Sequence, residues 1–179
     1  MSRRLYHKYY SPGPANIFSG GNLVGKNFQM ILDSGSSYTY FTSQLYGALL
    51  LMVQKDLSGK PLNVAPEEHA LPRCWKGTKP FKSVADVRSY FKPLALTFGQ
   101  GKRATQLDIP PEGYLIVAKS GNVCLGILNG TEAGLHDFNI IGDISVQDLA
   151  VIYDNEKEQI GWARANCNIR PKFATASLR

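Results

Sequence analysis

A mostly β domain with one or two short helices is what this sequence predicts. Three observations carry that expectation. From residue 91 onward, short apolar runs rich in β-branched and aromatic residues follow one another, turn residues separate them, and one stretch places apolar residues at helical spacing.

Taken in order, Phe28-Gln29-Met30-Ile31-Leu32 alternates loosely and then becomes wholly apolar, as a strand entering a core does. A strand is expected over residues 28–33 and a second over 38–41. Thr42 or Ser43 can cap the first turn of a helix in which Leu45, Leu49, Met52 and Val53 recur at helical spacing up to about Asp56, and that stripe should face the core. Residues 58–86 are rich in Pro, Gly, Lys and Glu and read as loop with one or two short structured pieces. Strands are then expected over 94–98, 103–109, 114–119 and 122–128, with Ser120-Gly121 as a hairpin turn between the last two. A final hairpin closes over residues 155–158. No internal repeat, low-complexity linker or second domain is visible.

Composition fits one folded unit. The 179 residues suit a single domain, and 44% hydrophobic with 19% charged residues is near the globular average. The longest apolar candidate, residues 48–53, is far too short to span a membrane as a helix. The net charge of +6 gathers at the two ends, in Arg3, Arg4, His7 and Lys8 and in Arg164, Arg170, Lys172 and Arg179. Without an RNA-binding aromatic motif, a helix-turn-helix or a zinc finger, these read as solvated tails and no nucleic-acid partner is expected. His7, His69 and His136 are scattered, and Cys74, Cys124 and Cys167 lack Cys-x-x-Cys spacing, so neither a metal nor an organic cofactor is implied. An odd cysteine count leaves one thiol over. Residues 1–10 are basic but carry no apolar core or cleavage site of a signal peptide, so the chain made as written is expected in the cytosol, with its three thiols reduced. Asn129-Gly130-Thr131 is a glycosylation sequon that matters only in the secretory pathway.

The chemistry-bearing segment is Ile31-Leu32-Asp33-Ser34-Gly35-Ser36-Ser37, which occurs once. Asp33 should sit where its strand leaves the core. Ser34 and Ser36 can donate to a carboxylate, and Gly35 allows a tight turn and close backbone approach. The same triplet is also an ordinary turn composition. A second segment lies far downstream: Phe138-Asn139-Ile140-Ile141-Gly142-Asp143, followed by Leu149-Ala150-Val151-Ile152-Tyr153-Asp154 and by Gln159-Ile160-Gly161-Trp162-Ala163.

Together these segments resemble the pepsin-like aspartic proteases, in which each of two lobes threads an apolar-Asp-Thr/Ser-Gly-Thr/Ser loop beside an apolar-apolar-Gly segment. Ser34, with Tyr38-Thr39-Tyr40-Phe41 after it and Tyr9-Tyr10-Ser11-Pro12-Gly13 before, is most similar to the second lobe of the plant nucellin-like branch. The resemblance implies a single lobe of the bilobal fold. It divides the chain into a lead-in at 1–20, the C-terminal lobe at 21–169 and a basic tail at 170–179. It implies that Asp33 is one of two catalytic aspartates, with Ser34, Gly35, Ser36 and Ser37 forming the active-site loop. Ile140, Ile141 and Gly142 would be its ψ-shaped support. Asp143 would belong to that support rather than to catalysis, and Asp154 to the last turn. A disulfide is implied between Cys74 and Cys124, with Cys167 left over.

A complete two-lobed enzyme needs roughly twice this length. The first lobe, with its aspartate and substrate-covering flap, is therefore expected to be missing, and the lobe alone to be catalytically poor. The implied partners are a polypeptide substrate and either a first lobe or a homodimer mate. The implied relatives are secreted or vacuolar. An inactive lobe that binds extended peptide or a partner protein, and a truncated product without a role of its own, are the competing outcomes.

Overall fold

A computed structural model describes residues 9–101, 104–135, 137–167 and 169. Its strands are β1 (Gly13–Ser19), β2 (Asn22–Leu32), β3 (Thr39–Phe41), β4 (Asn63–Val64), β5 (Cys74–Lys76), β6 (Leu94–Phe98), β7 (Thr105–Ile109), β8 (Leu115–Val117), β9 (Val123–Leu125), β10 (Ile127–Asn129), β11 (Asn139–Ile141), β12 (Leu149–Asp154) and β13 (Gln159–Arg164). The α-helix, α1, spans Ser43–Leu57. Seven strands form one sheet in the order β10-β3-β11-β2-β1-β6-β7; β4-β5-β9-β8 form a second sheet, and β12-β13 pair as a separate hairpin.

The seven-stranded sheet is built outward from a local hairpin. Gly20 and Gly21, both at positive φ, turn β1 back onto β2, where other residues would be strained. Asn27, also at positive φ, sits where the β1–β2 register shifts, and its N–H donates to the Asn16 side chain. Beyond this bulge β2 enters the core, with Met30, Ile31 and Leu32 buried. β1 buries Ala15, Ile17 and Ser19 between β2 and β6. The folded unit thus takes in residues 13–19, which the sequence reading assigns to a lead-in; their pairing with β6, some 80 residues away, has no local signature.

Helix α1 runs close to its expected bounds and buries Leu45, Tyr46, Leu49, Val53 and Leu57, while Met52 is only half-buried. At about 1.5–3 kcal/mol per fully buried large apolar side chain, this face outweighs the penalty of about 1 kcal/mol for Gly47 inside the helix. The expected side-chain cap does not form. Thr42 is the N-cap residue, but its hydroxyl bonds to no helix amide. The helix start is held instead from distant segments: Asn139 Oδ1 accepts the Thr42 N–H at 2.9 Å and Thr131 Oγ1 accepts the Ser43 N–H at 3.2 Å.

Residues 58–86 contribute β4, β5 and a 3-10 turn at Val84–Asp86. The expected strand over 122–128 divides at Gly126, whose N–H donates to Tyr114 and whose carbonyl accepts from Thr39. There the chain leaves the small sheet for the large one, and β10 runs parallel to β3. β7 starts at Thr105, and residue 103 of its expected range lies outside the described residues, as do His7, His136 and the 170–179 tail. The β12–β13 hairpin closes as expected and packs Val151, Tyr153, Ile160 and Trp162 onto the body. The Trp162 indole donates to the Gln106 carbonyl at 3.0 Å and meets the Phe98 ring edge-on. No helix among the described residues is long and apolar enough to cross a membrane.

Candidate active site

Asp33 follows the last residue of β2, and its N–H donates to the Ile141 carbonyl at 3.1 Å, continuing the parallel pairing of β2 with β11. On its other side β11 pairs antiparallel with β3, so the chain leaving β2 through residues 33–38 returns with β11 threaded between its two arms. Side chains and backbone of the loop serve the carboxylate directly. The Gly35 N–H donates to Oδ1 at 3.0 Å, the Ser36 hydroxyl donates to Oδ2 at 2.8 Å, and the Ser36 N–H donates to the Asp33 carbonyl at 3.1 Å. Of the two serines expected to orient the carboxylate, Ser36 does so; Ser34 is exposed on the wall of the adjoining cavity.

The loop rests on the segment after β11. The Asp143 N–H donates to the Ser36 carbonyl at 2.8 Å and the Ile144 N–H to the Ser37 carbonyl at 3.1 Å. Gly142 makes this approach possible: a Cβ there would lie 2.1 Å from the Tyr38 carbonyl oxygen and 2.7 Å from that of Ser36. Asp143 therefore serves the loop through its backbone, while its carboxylate is exposed. Asp154 takes its expected place in the last turn, accepting the Lys157 N–H at 2.9 Å.

Asp33 is half-buried and faces an open cavity of about 630 Å³, whose apolar lining includes Leu32, Ile141, Leu149 and Val151. Tyr153 stands in the same wall with Tyr10 packed against it, ring centroids 4.3 Å apart. Burial, then the negative charge of Asp33 and the neighbouring Tyr10, push the Tyr153 hydroxyl above the usual tyrosine value. Cys167 is a free, exposed thiol on the cavity rim. Among the described residues no group of three or more His, Cys, Asp or Glu side chains is placed to hold a metal.

Cys74 and Cys124 form a disulfide directly across the β5–β9 pair. This is the pairing that the family resemblance implies, with Cys167 left over, and not the alternative of three reduced thiols: antiparallel register sets Cys74 and Cys124 opposite each other, a contact that spacing in the sequence does not reveal. Asn129 is engaged on both ends of its amide, accepting from the Ser43 hydroxyl and the Thr131 N–H and donating to Glu132.

Sequence reasoning passed over the polar side chains beneath the loop. Thr39 and Ser145 are buried and bonded to each other at 2.6 Å, and Asn139 ties β11 to the Gln29 carbonyl and to the start of α1. The available signal was slight: Thr39 and Phe41 occupy alternate positions of a short strand, so a hydroxyl was bound to point the same way as a core aromatic.

A family model described as xylanase inhibitor C-terminal matches residues 18–164, and an aspartic proteinase of Oryza sativa subsp. japonica is 38% identical over 178 residues. This chain belongs to the plant pepsin-like aspartic protease family, as a C-terminal lobe. Along the β2–loop–β3 path, the pairing of β11 with β2 and with β3 sets residues 140 and 141 beside the loop that begins at Asp33. Aspartic proteinase 39 of Arabidopsis thaliana is 27% identical over 156 residues, and the aspartic proteinase nepenthesin-1 of Nepenthes gracilis is 25% identical over 138. The rice match covers 95% of this chain and 43% of the proteinase, the Arabidopsis match 86% and 30%, and the Nepenthes match 77% and 28%. The chain thus spans less than half the length of the curated relatives it matches.

Proposed function

We propose that this lobe supplies one carboxylate, Asp33, to a two-aspartate endopeptidase site. The observation that carries the reading is the Asp33 carboxylate itself, with both oxygens fixed by donors from its own loop and one side open to a cavity. Two aspartates held a few ångströms apart cannot both ionise readily, so one keeps a proton, the effect for which aspartic proteases are the well-known case. The anionic member takes a proton from a water between them as the water attacks the scissile carbonyl. The protonated member polarises that carbonyl, and the tetrahedral intermediate collapses as a proton passes to the leaving amine. Ser36 and the Gly35 amide hold Asp33 for this exchange, and the exposed loop backbone borders the path of an extended polypeptide.

The second aspartate comes from outside this loop. Asp143 supports the loop through its backbone and Asp154 is a turn residue, and in this reading the second aspartate is supplied by a first lobe or a second copy of the chain. A secreted or vacuolar setting belongs to the same reading, since the Cys74–Cys124 disulfide persists best in an oxidising compartment. A non-cleaving lobe that binds an extended peptide or a partner protein is the second reading, favoured by the open half-site and by the inhibitor named in the family description.

Cleavage of an unfolded protein between pH 3 and 6, with and without a transition-state-mimicking inhibitor and with mass in solution measured in parallel, separates the two. Inhibitor-sensitive cleavage by a dimer or by a complex with a first lobe is expected, and Asp33→Asn should abolish it while leaving the fold intact. Equal cleavage by the Asp33→Asn variant would place the chemistry elsewhere. No cleavage by any assembled form would leave the binding reading.

A further inference from the structure

Beneath the Asp33 loop lies a buried relay of hydroxyls with every proton accounted for. The Gly142 N–H donates to Thr39 Oγ1 at 3.1 Å, Thr39 and Ser145 share a 2.6 Å hydrogen bond, and the Ser145 hydroxyl donates to the Gly113 carbonyl at 3.1 Å. An amide can only donate and a carbonyl can only accept, so Ser145 spends its proton on Gly113 and the proton between the hydroxyls belongs to Thr39. Thr39 thus holds both ends of the segment from Gly142 to Ser145. Between those ends stand the Asp143 and Ile144 amides that carry the Ser36 and Ser37 carbonyls, and Ser36 in turn donates to Asp33 Oδ2.

The geometry points to Thr39 and Ser145 as positioning residues for Asp33. They fix the turn that determines where Ser36 presents its hydroxyl, and so the orientation of the carboxylate. The inference rests on the reading of Asp33 as the reactive group. An aliphatic side chain of the same shape in place of Thr39 fills the space but leaves the buried Gly142 N–H without its acceptor, and the turn must move or open to satisfy it. A displacement well under 1 Å at a reacting group is enough to slow a reaction that depends on alignment.

Thr39→Val, Thr39→Ser and Ser145→Ala in the full chain test this by amide resonances and hydrogen exchange. The Gly35 amide, which donates to Asp33 Oδ1, reports the carboxylate, and the Gly142 amide reports the relay. In Thr39→Val the Gly142 amide is expected to exchange about tenfold faster or more and the Gly35 resonance to move, with Thr39→Ser restoring both. In the assembly that supplies the second aspartate, Thr39→Val should lower kcat about tenfold with little change in KM, as loss of alignment does. A Thr39→Val protein whose Gly142 exchange quickens while Gly35 stays at its parental position would overturn the inference and leave the relay serving the fold alone. Should Thr39→Val fail to fold, Ser145→Ala, which keeps the Gly142–Thr39 bond, carries the same comparison at Gly35. These resonances are read without cleavage, so the relay stands or falls independently of whether Asp33→Asn abolishes activity.

Discussion

Gly142 occupies its position for lack of space. Its φ of −87° is open to any residue, yet an added Cβ meets the backbone carbonyls of Tyr38 and Ser36, which cannot swing aside as a side-chain tip can. Gly142→Ala is therefore expected to destabilise the chain by about 2–4 kcal/mol in urea unfolding, as overpacking against fixed backbone does. A loss under about 0.5 kcal/mol, the ordinary surface range, would refute the close approach. Two neighbouring threonines supply a sharper comparison. Among the described residues Thr42 Oγ1 is buried without a hydrogen-bond partner, whereas Thr39 Oγ1 serves Gly142 and Ser145. Thr42→Val should be neutral or stabilising by up to about 1 kcal/mol, while Thr39→Val should cost about 1–3 kcal/mol, because only the second strands a buried polar group. Thermal unfolding of the two variants side by side decides it, and equal losses would contradict the assignment. At this scale the sequence shows Asp33 and Gly142, which sit in local patterns. It cannot separate Thr39 from Thr42, because what separates them is Ser145, 106 positions away.

At the scale of elements, legibility follows sequence distance. α1 and the β12–β13 hairpin declare themselves by local period and turn residues and stand close to where those signals put them. β2 ends as expected but begins at Asn22 rather than at residue 28, because its first half is defined by pairing with β1 and not by an apolar run of its own. β1 is missed because its second neighbour is β6, and the break at Gly126 is missed because a strand that changes sheets has no local mark. The disulfide is equally long-range, and it was the family resemblance, not any local signal, that implied it. It links the centre of the small sheet across a sequence separation of 50 residues, which by the chain-entropy model is worth about 4 kcal/mol through restriction of the unfolded chain. Replacing both Cys74 and Cys124 by Ala should lower unfolding free energy by roughly that amount, about 4 kcal/mol, and reductant should lower the melting temperature of the parent but not of the variant. A parent indifferent to reductant would show that the two thiols are unpaired in solution.

For the whole molecule, the single lobe and its one aspartate loop were legible because order and spacing of short motifs along the chain are themselves long-range information. The polar interior was not, and Tyr114 shows its consequence for stability. It is among the most deeply buried side chains, 1% exposed, and its hydroxyl donates to the Lys92 carbonyl at 2.7 Å. Burial first, then the negative charges of Asp56 and Glu112, push this hydroxyl far above the usual value of 10. In the unfolded chain it ionises near pH 10, whereas the folded core holds it protonated. The folded state therefore binds a proton that the unfolded state gives up: the contribution is complete below about pH 10 and declines by about 1.4 kcal/mol per pH unit above it. Tyr114→Phe removes one hydrogen bond and should cost about 0.5–1.5 kcal/mol near neutrality. It also removes the alkaline loss, so the gap between variant and parent should close, then reverse, as unfolding is followed from pH 9 to pH 11.5. In the parent, tyrosinate absorbance from this residue should rise together with loss of β-sheet signal. Absorbance that rises while the sheet signal holds would mean the hydroxyl reaches solvent without unfolding, and a gap constant with pH would mean that Tyr114 takes no part in alkaline stability.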